Sequence, residues 1–158
     1  MERNGTQQGK IVLGLGNTLR GDDGIGIAAT AELAKKFAGR AEFVCTEEMG
    51  FALLDYLSGY EEALIIDSIC TTGGEAGEIH RFSLEDFPPR ANGSAHYLGL
   101  PEAAQLAREM RIPFPANVHI LGIEISQPFD ISPSLSPELK EKLPAILENL
   151  ESLLRELL

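Results

Sequence analysis

The 158 residues carry 24 acidic and 13 basic side chains, so the formal net charge is −11. This charge argues against nucleic acids and anionic membranes as partners, because both bind basic surfaces. The length predicts one domain with a core of its own, and no apolar run approaches the ~20 residues that a membrane-spanning helix needs. Residues 1–9 are polar and show no signal peptide. We therefore expect a cytoplasmic protein with a disordered segment at 1–9 and a single domain over 10–158.

Strands and helices are predicted to alternate through the first half of the chain. The apolar patterns predict strands over residues 10–15, 42–46 and 63–66, and helices over 22–37 and 50–57. The third strand is apolar throughout, as expected of a strand covered on both faces, and is predicted to end at Asp67. This alternation predicts parallel strands in the order 2-1-3, with the first and third strands side by side.

The fourth strand is predicted to run against the others. Residues 69–77 are too few to hold a crossover helix, because parallel strands need about a dozen or more residues between them. A strand over 78–82 is therefore expected to return antiparallel, as a hairpin. A helix over 96–110 and a long strand over 117–125 follow.

The last predicted element is a helix that Ser136 caps, with Pro137 in its first turn. Pro144 is expected to kink or break this helix, because proline lacks the amide hydrogen that the helix needs. Taken together, the elements predict an α/β fold: a three-layer sandwich whose five-stranded, mostly parallel sheet has one antiparallel strand and helices on both faces.

Acidic side chains and one histidine are predicted to meet at one edge of this sheet. Asp22 and Asp23 follow the first strand and Asp67 ends the third, and sites in parallel sheets form beyond the carboxyl ends of strands. If the fifth strand is parallel to these two, the helix that feeds it begins at the same edge, with His96 at its start. Carboxylate and imidazole ligands suit a borderline divalent metal such as nickel or zinc and leave positions open for a substrate.

Each of these four residues also has a purely structural interpretation. Asp22 suits a helix N-cap, and Asp23 suits the positive end of the helix dipole. Asp67 could accept hydrogen bonds from loop amides, and a single histidine at a helix start, such as His96, is commonly a solvated or capping residue. The convergence of three distant segments on one edge favours the functional interpretation.

The remaining potential ligands are assigned structural roles. Cys45 and Cys70 are the only cysteines, and in a cytoplasmic chain they are expected to be reduced, buried thiols. Cys70 lies three residues after Asp67, within reach of the site. His80 and His119 are assigned to strand packing or to the surface.

A nucleotide site is the weakest of the alternatives. Gly14 and Gly16 follow a strand and precede a helix, as in a dinucleotide-binding fingerprint, but Leu19 stands where the third glycine belongs. Glu47 and Glu48 follow the second strand and could imitate its ribose-binding acid. The acid pair at the helix start would repel a pyrophosphate.

Three motifs resemble those of the nickel–iron hydrogenase maturation endopeptidases. They are GLGNTLRGDDGIG at residues 14–26, IDSI at 66–69 and SAHYLGL at 94–100, and the resemblance extends from about residue 10 to residue 158. Members of this family cut a short C-terminal extension from the precursor of the hydrogenase large subunit once nickel has been loaded. The resemblance implies that this precursor is the partner and that nickel is the recognition signal, which the isolated enzyme need not retain.

The resemblance also implies roles for particular residues. The family's metal-contacting residues fall on Asp23, Asp67 and His96, which are thus the expected catalytic and nickel-binding residues. Asp22 matches the other acid of the pair, with its role left open. Whether the metal polarises the peptide carbonyl, activates water or only positions the peptide also stays open, and so does a carboxylate acting as general base.

One segment departs from the family pattern. Many relatives have a glycine-rich stretch after the second strand, whereas residues 46–50 read TEEMG and match only at Gly50. The hydrogenase that is processed is therefore not implied. The alternative function is a non-catalytic, nickel-sensing scaffold or metallochaperone, and the chain is expected to be a monomer, although the sequence does not determine the oligomeric state.

Overall fold

Five strands form one sheet, with helices on both of its faces, in the computed structural model, which describes residues 9–86, 100–126 and 131–158. The strands and helices are β1 (Lys10–Leu15), α1 (Ile25–Lys36), β2 (Glu42–Thr46), α2 (Leu54–Leu57), β3 (Glu62–Ile69), β4 (Ile79–Ser83), α3 (Leu100–Glu109), β5 (Asn117–Glu124) and α4 (Pro137–Leu157). Short 3-10 helices are Gly21–Gly24, Gly50–Leu53 and Leu84–Asp86. Disorder is predicted for residues 1–9, and of these only Gly9 is among the described residues. His96 lies outside the described residues.

The sheet has the strand order β2-β1-β3-β5-β4, in which only β4 runs antiparallel. The predicted five-stranded, mostly parallel α/β sandwich and the order 2-1-3 are confirmed. The predicted hairpin is wrong: β4 pairs with β5, not with β3. The reason is that β5 pairs with β3 along its whole length, from Glu62 opposite Asn117 to Ile69 opposite Glu124, and so occupies the edge that a hairpin would need.

β3 extends two residues beyond Asp67, so the prediction that this residue ends the strand is also wrong. The parallel ladder continues because Asp67, Ser68 and Ile69 pair with the last residues of β5. Side chains alternate between the two faces of a strand. Asp67 therefore points to the same face as Ile65, while Ser68 points to the opposite one.

Two apolar clusters fill the spaces between the sheet and its two helical layers. One lies under α1 and α4 and includes Leu64, Ile66 and Leu121 on the sheet. The other lies under α2 and α3 and includes Leu13 and Ile65. Every residue of β3 from Ala63 onward is buried, which accounts for its uninterrupted apolar sequence up to Asp67.

α4 begins where its sequence predicts, but it is not broken at Pro144. The Ser136 side chain caps the helix by accepting a hydrogen bond from the Leu139 amide at 3.3 Å. Pro144 lies within the helix without breaking it, because this residue is on the exposed face, where water can satisfy the carbonyl that proline leaves without a donor. Although α4 has 21 residues, no helix in the described ranges is apolar enough to cross a bilayer.

Candidate active site

Asp23 and Asp67 are both buried at the carboxyl edge of β1 and β3, and Ser68 forms a hydrogen bond with each. The exposed fraction is 7% for Asp23 and 0% for Asp67. The Ser68 hydroxyl donates a hydrogen bond to Asp23 Oδ1 at 2.6 Å, and the Ser68 amide donates one to Asp67 Oδ1 at 2.7 Å. Two buried carboxylates that share one neighbouring residue, in a region with little water, favour a nearby cation.

Glycines in the first loop allow this close approach. A Cβ atom on Gly26 would lie 2.6 Å from the carbonyl oxygen of Ile66 and 2.9 Å from the Cα atom of Asp67. A Cβ atom on Gly14 would lie 2.6 Å from the Thr30 Cβ atom, on the opposite side of the same helix–strand contact. The glycines of the motif therefore let the start of α1 rest on β1 and β3, which brings Asp23 to Ser68.

Asp22 does not cap α1, so that structural interpretation is wrong. Its two carboxylate oxygens accept hydrogen bonds from the Ser136 amide at 2.7 Å and the Ser136 hydroxyl at 2.8 Å. The same loop is joined to the segment before α4 by the Gly21 amide, which donates to the Ser132 carbonyl at 2.8 Å. Asp22 thus connects the loop that carries Asp23 to a residue 114 positions later in the chain.

Glu47 binds the glycine-containing loop after β1, whose amides a nucleotide phosphate would contact. Its Oε1 atom accepts hydrogen bonds from the Thr18 amide at 2.9 Å and the Thr18 hydroxyl at 3.0 Å. A loop amide that could have contacted a phosphate is therefore bound to a carboxylate, and Asp22 and Asp23 add further negative charge. The geometry opposes the nucleotide alternative.

The third predicted ligand cannot be placed, because His96 lies outside the described residues. Within the described residues, no group of three or more histidine, cysteine, aspartate or glutamate side chains is arranged to hold a metal ion. The described part of the site therefore offers two carboxylates, Asp23 and Asp67. Oxygen donors of this kind fit part of a divalent coordination shell and leave the rest of it to other groups.

Cys70 follows β3 and contacts the segment after β5. Its thiol donates a weak hydrogen bond to the Ser126 carbonyl at 3.9 Å, beyond the end of β5. Cys45 and Cys70 are both free thiols, as expected, but both are exposed, so their predicted burial is wrong.

Sequence reasoning missed a third buried carboxylate, that of Glu124, the last residue of β5. It accepts hydrogen bonds from the amide and hydroxyl of Thr71 at 2.7 Å and 2.9 Å, and it lies 3.0 Å from Nε2 of His80. The pattern of one acid inside an apolar strand, GIEI, was the available signal. Glu124 fixes the loop after β3, and His80, a residue of β4 that also stacks on Phe82, contacts this carboxylate.

Comparison with known proteins identifies the same family as the three sequence motifs. A family model described as hydrogenase maturation protease matches residues 27–153, a span that contains Asp67 and His96 and begins just after the first motif. The hydrogenase expression/formation protein HupD of Thiocapsa roseopersicina is 29% identical over an alignment of 150 residues that covers 90% of this chain. The chain spans 66% of the length of that relative.

Solved structures of similar fold carry related names. The hydrogenase maturating endopeptidase HybD from E. coli superposes with a TM-score of 0.76, is 24% identical, and is matched over 94% of this chain and 93% of its own. The NiFe hydrogenase maturation protease HybD from Thermococcus kodakarensis has a TM-score of 0.68 and 28% identity, over 92% of this chain and 98% of its own. The family resemblance of the sequence is thereby confirmed.

Proposed function

This chain belongs to the hydrogenase maturation protease family, and on that premise we propose that it is an endopeptidase that removes the C-terminal extension of a nickel-loaded hydrogenase large-subunit precursor. The observation that carries the proposal is the pair of buried carboxylates, Asp23 and Asp67, that Ser68 joins at the carboxyl edge of the sheet. The C-terminal segment of a precursor could approach this edge of the sheet, where both acids would attract a cation.

In this proposal, nickel arrives with the substrate. Asp23 and Asp67 each present carboxylate oxygen to it, and His96 is the expected third contact. Oxygen and imidazole ligands suit nickel, and the precursor would supply the remaining ligands. The metal held between the two proteins would then keep the scissile peptide bond beside Asp23 and Asp67. A carboxylate of this pair is also suitably placed to accept a proton from an attacking water molecule.

We also propose that the protein works as a monomer in the cytoplasm. Two exposed, free cysteines are compatible with a reducing compartment. A net charge of −11 makes one copy repel another, which opposes self-association.

The direct test is mass spectrometry of a purified large-subunit precursor with and without this protein. We expect a nickel-loaded precursor to lose a C-terminal peptide and a nickel-free one to stay intact. The variants Asp23→Asn, Asp67→Asn and His96→Ala should each slow cleavage at least about 100-fold. Asp55→Asn, which changes an exposed carboxylate on α2, is the matched control and should cleave at the wild-type rate.

Two results would reject this proposal. If His96→Ala cleaves as fast as the wild type, the histidine has no part in the mechanism. If the protein binds the nickel-loaded precursor tightly and the mass of the precursor does not change, the protein is a nickel-sensing scaffold and not a protease.

A further inference from the structure

The carboxyl edge of the sheet carries an exposed apolar surface beside Asp23 and Asp67. Five large apolar side chains of the described residues are exposed. Four lie at this edge, in the segments that follow β1, β2 and β5: Leu19 (65% exposed), Met49 (52%), Phe51 (54%) and Ile131 (92%). The fifth, Met110, follows α3 at the opposite edge. We call the first four residues the apolar rim.

Hydrogen bonds between loops hold the apolar rim together. The Ser132 amide donates to the Leu19 carbonyl at 3.0 Å, which places Ile131 beside the first loop. The bonds from Thr18 to Glu47 fix the first loop against the loop that carries Met49 and Phe51. The rim is therefore ordered before any partner binds, so that binding does not have to order these loops.

The charges around the rim indicate which partner it suits. Glu47 and Glu48 are exposed next to Met49, and the whole chain is strongly acidic. A second copy of this chain would bring acids against acids, and an anionic membrane would be repelled. A protein surface that offers an apolar side chain flanked by basic residues matches the rim both in its apolar character and in its charge.

We infer that the apolar rim is the surface on which the hydrogenase precursor docks, through an apolar segment flanked by basic residues. This inference rests on the proposed function, because the rim lies at the same edge of the sheet as Asp23. Docking there would place the precursor next to the Ser68-joined acids. The rim would contribute equally to the bound substrate and to the transition state, so it should govern KM and not kcat.

The test compares exposed apolar side chains at the two edges. The double variant Met49→Ser/Phe51→Ser should raise KM for the nickel-loaded precursor about tenfold with kcat unchanged, a factor that corresponds to about 1.4 kcal/mol. Met110→Ser, the matched control at the opposite edge, should leave KM unchanged. Because all three side chains are more than half exposed, thermal melting curves should match that of the wild type.

A second pair of variants tests the charge. Glu48→Lys should raise KM severalfold at low salt and less at high salt, since salt screens exposed charges. Glu85→Lys reverses an exposed carboxylate at the opposite edge and is its control. Equal effects of the two reversals would mean that only the net charge matters, which would overturn the complementarity of the rim.

A binding measurement separates this inference from the proposed function. Biolayer interferometry with immobilised precursor should show about tenfold weaker binding for Asp67→Asn/Met49→Ser/Phe51→Ser than for Asp67→Asn alone. Unchanged binding, or a concentration-dependent dimer in sedimentation that the rim substitutions abolish, would overturn the docking role. If the wild type binds the precursor through the rim but does not cut it, the proposed protease function is rejected and the docking role of the rim is retained.

Discussion

Replacing Gly26 with alanine should damage both the stability of the fold and the candidate site. A Cβ atom at this position would stand 2.2 Å from the Leu15 carbonyl oxygen and 2.6 Å from the Ile66 carbonyl oxygen, whereas ordinary contact begins at 3.4 Å. The start of α1 must then retreat from β1 by about 1.2 Å and from β3 by about 0.8 Å, because the opposing atoms are backbone and cannot rotate away. Overpacking of this kind costs about 1–3 kcal/mol of unfolding free energy.

The same displacement should break the bond between the two halves of the site. The Ser68 hydroxyl lies 2.6 Å from Asp23 Oδ1, and a retreat of about 0.8 Å would take the two oxygens beyond the distance of an O–H···O hydrogen bond. For a chain of this size, 1–3 kcal/mol should lower the melting temperature by roughly 2–12 °C. We expect precursor cleavage to be lost even at temperatures where the variant is folded.

Gly24→Ala is the matched control for this substitution. Gly24 lies two residues earlier, has a helical φ of −77°, and a Cβ atom there would meet its nearest neighbour at an ordinary 3.4 Å. Its replacement should be neutral or stabilise the fold by about 0.4–1 kcal/mol, because alanine restricts the unfolded chain. Thermal denaturation followed by circular dichroism and the mass-spectrometric cleavage assay give both readouts. Equal stability and activity of Gly26→Ala and Gly24→Ala would refute the close-packing argument.

Three further substitutions test the contacts around the site and the core. Ser68→Ala removes the hydroxyl that binds Asp23 and should cost about 1.5–3 kcal/mol in urea unfolding and lower kcat for precursor cleavage. Ser136→Ala removes both a helix cap and a donor to Asp22, and it should cost about 1–3 kcal/mol of unfolding free energy. Burial lowers the pKa of His119 in the folded protein, with a nearby arginine adding to the effect. The contribution of His119 to the unfolding free energy is therefore fully present above the ordinary histidine pKa of about 6.5. This contribution is lost as the pH falls through the lowered pKa of the folded protein. Between about pH 7.5 and about pH 5, the wild type should lose more unfolding free energy than His119→Gln does.

Controls exist for these three as well. Ser152→Ala changes an exposed serine on α4 and should be nearly neutral, so an equal loss in Ser136→Ala would contradict the capping role. A Ser68→Ala variant with wild-type kcat and stability would show that the bond to Asp23 is dispensable. Identical pH profiles for the wild type and His119→Gln would show that this histidine is not perturbed by folding.

Local patterns in the sequence predict most of the fold. The alternation of apolar strands and helices determines a parallel α/β sheet, and the shortness of residues 69–77 determines that β4 runs antiparallel. The spacing of glycines and acids after β1 also indicates that Asp23 faces the carboxyl edge. These features are predictable because each depends on residues close together in the chain, where loop length and side-chain periodicity limit the geometry.

Only the tertiary structure decides which groups meet across the sheet. Loop length sets the direction of β4 but not its neighbour, and β5 takes the edge of β3 that a hairpin would have used. The pairing of Asp22 with Ser136 and the bridge from Ser68 to Asp23 join residues 114 and 45 positions apart. A carboxylate can accept hydrogen bonds from many donors, and the choice among them depends on how closely the packed helices and strands approach. The sequence by itself therefore determined the elements and the edge of the site, whereas packing assigned one acid to the site and the other to the support of α4.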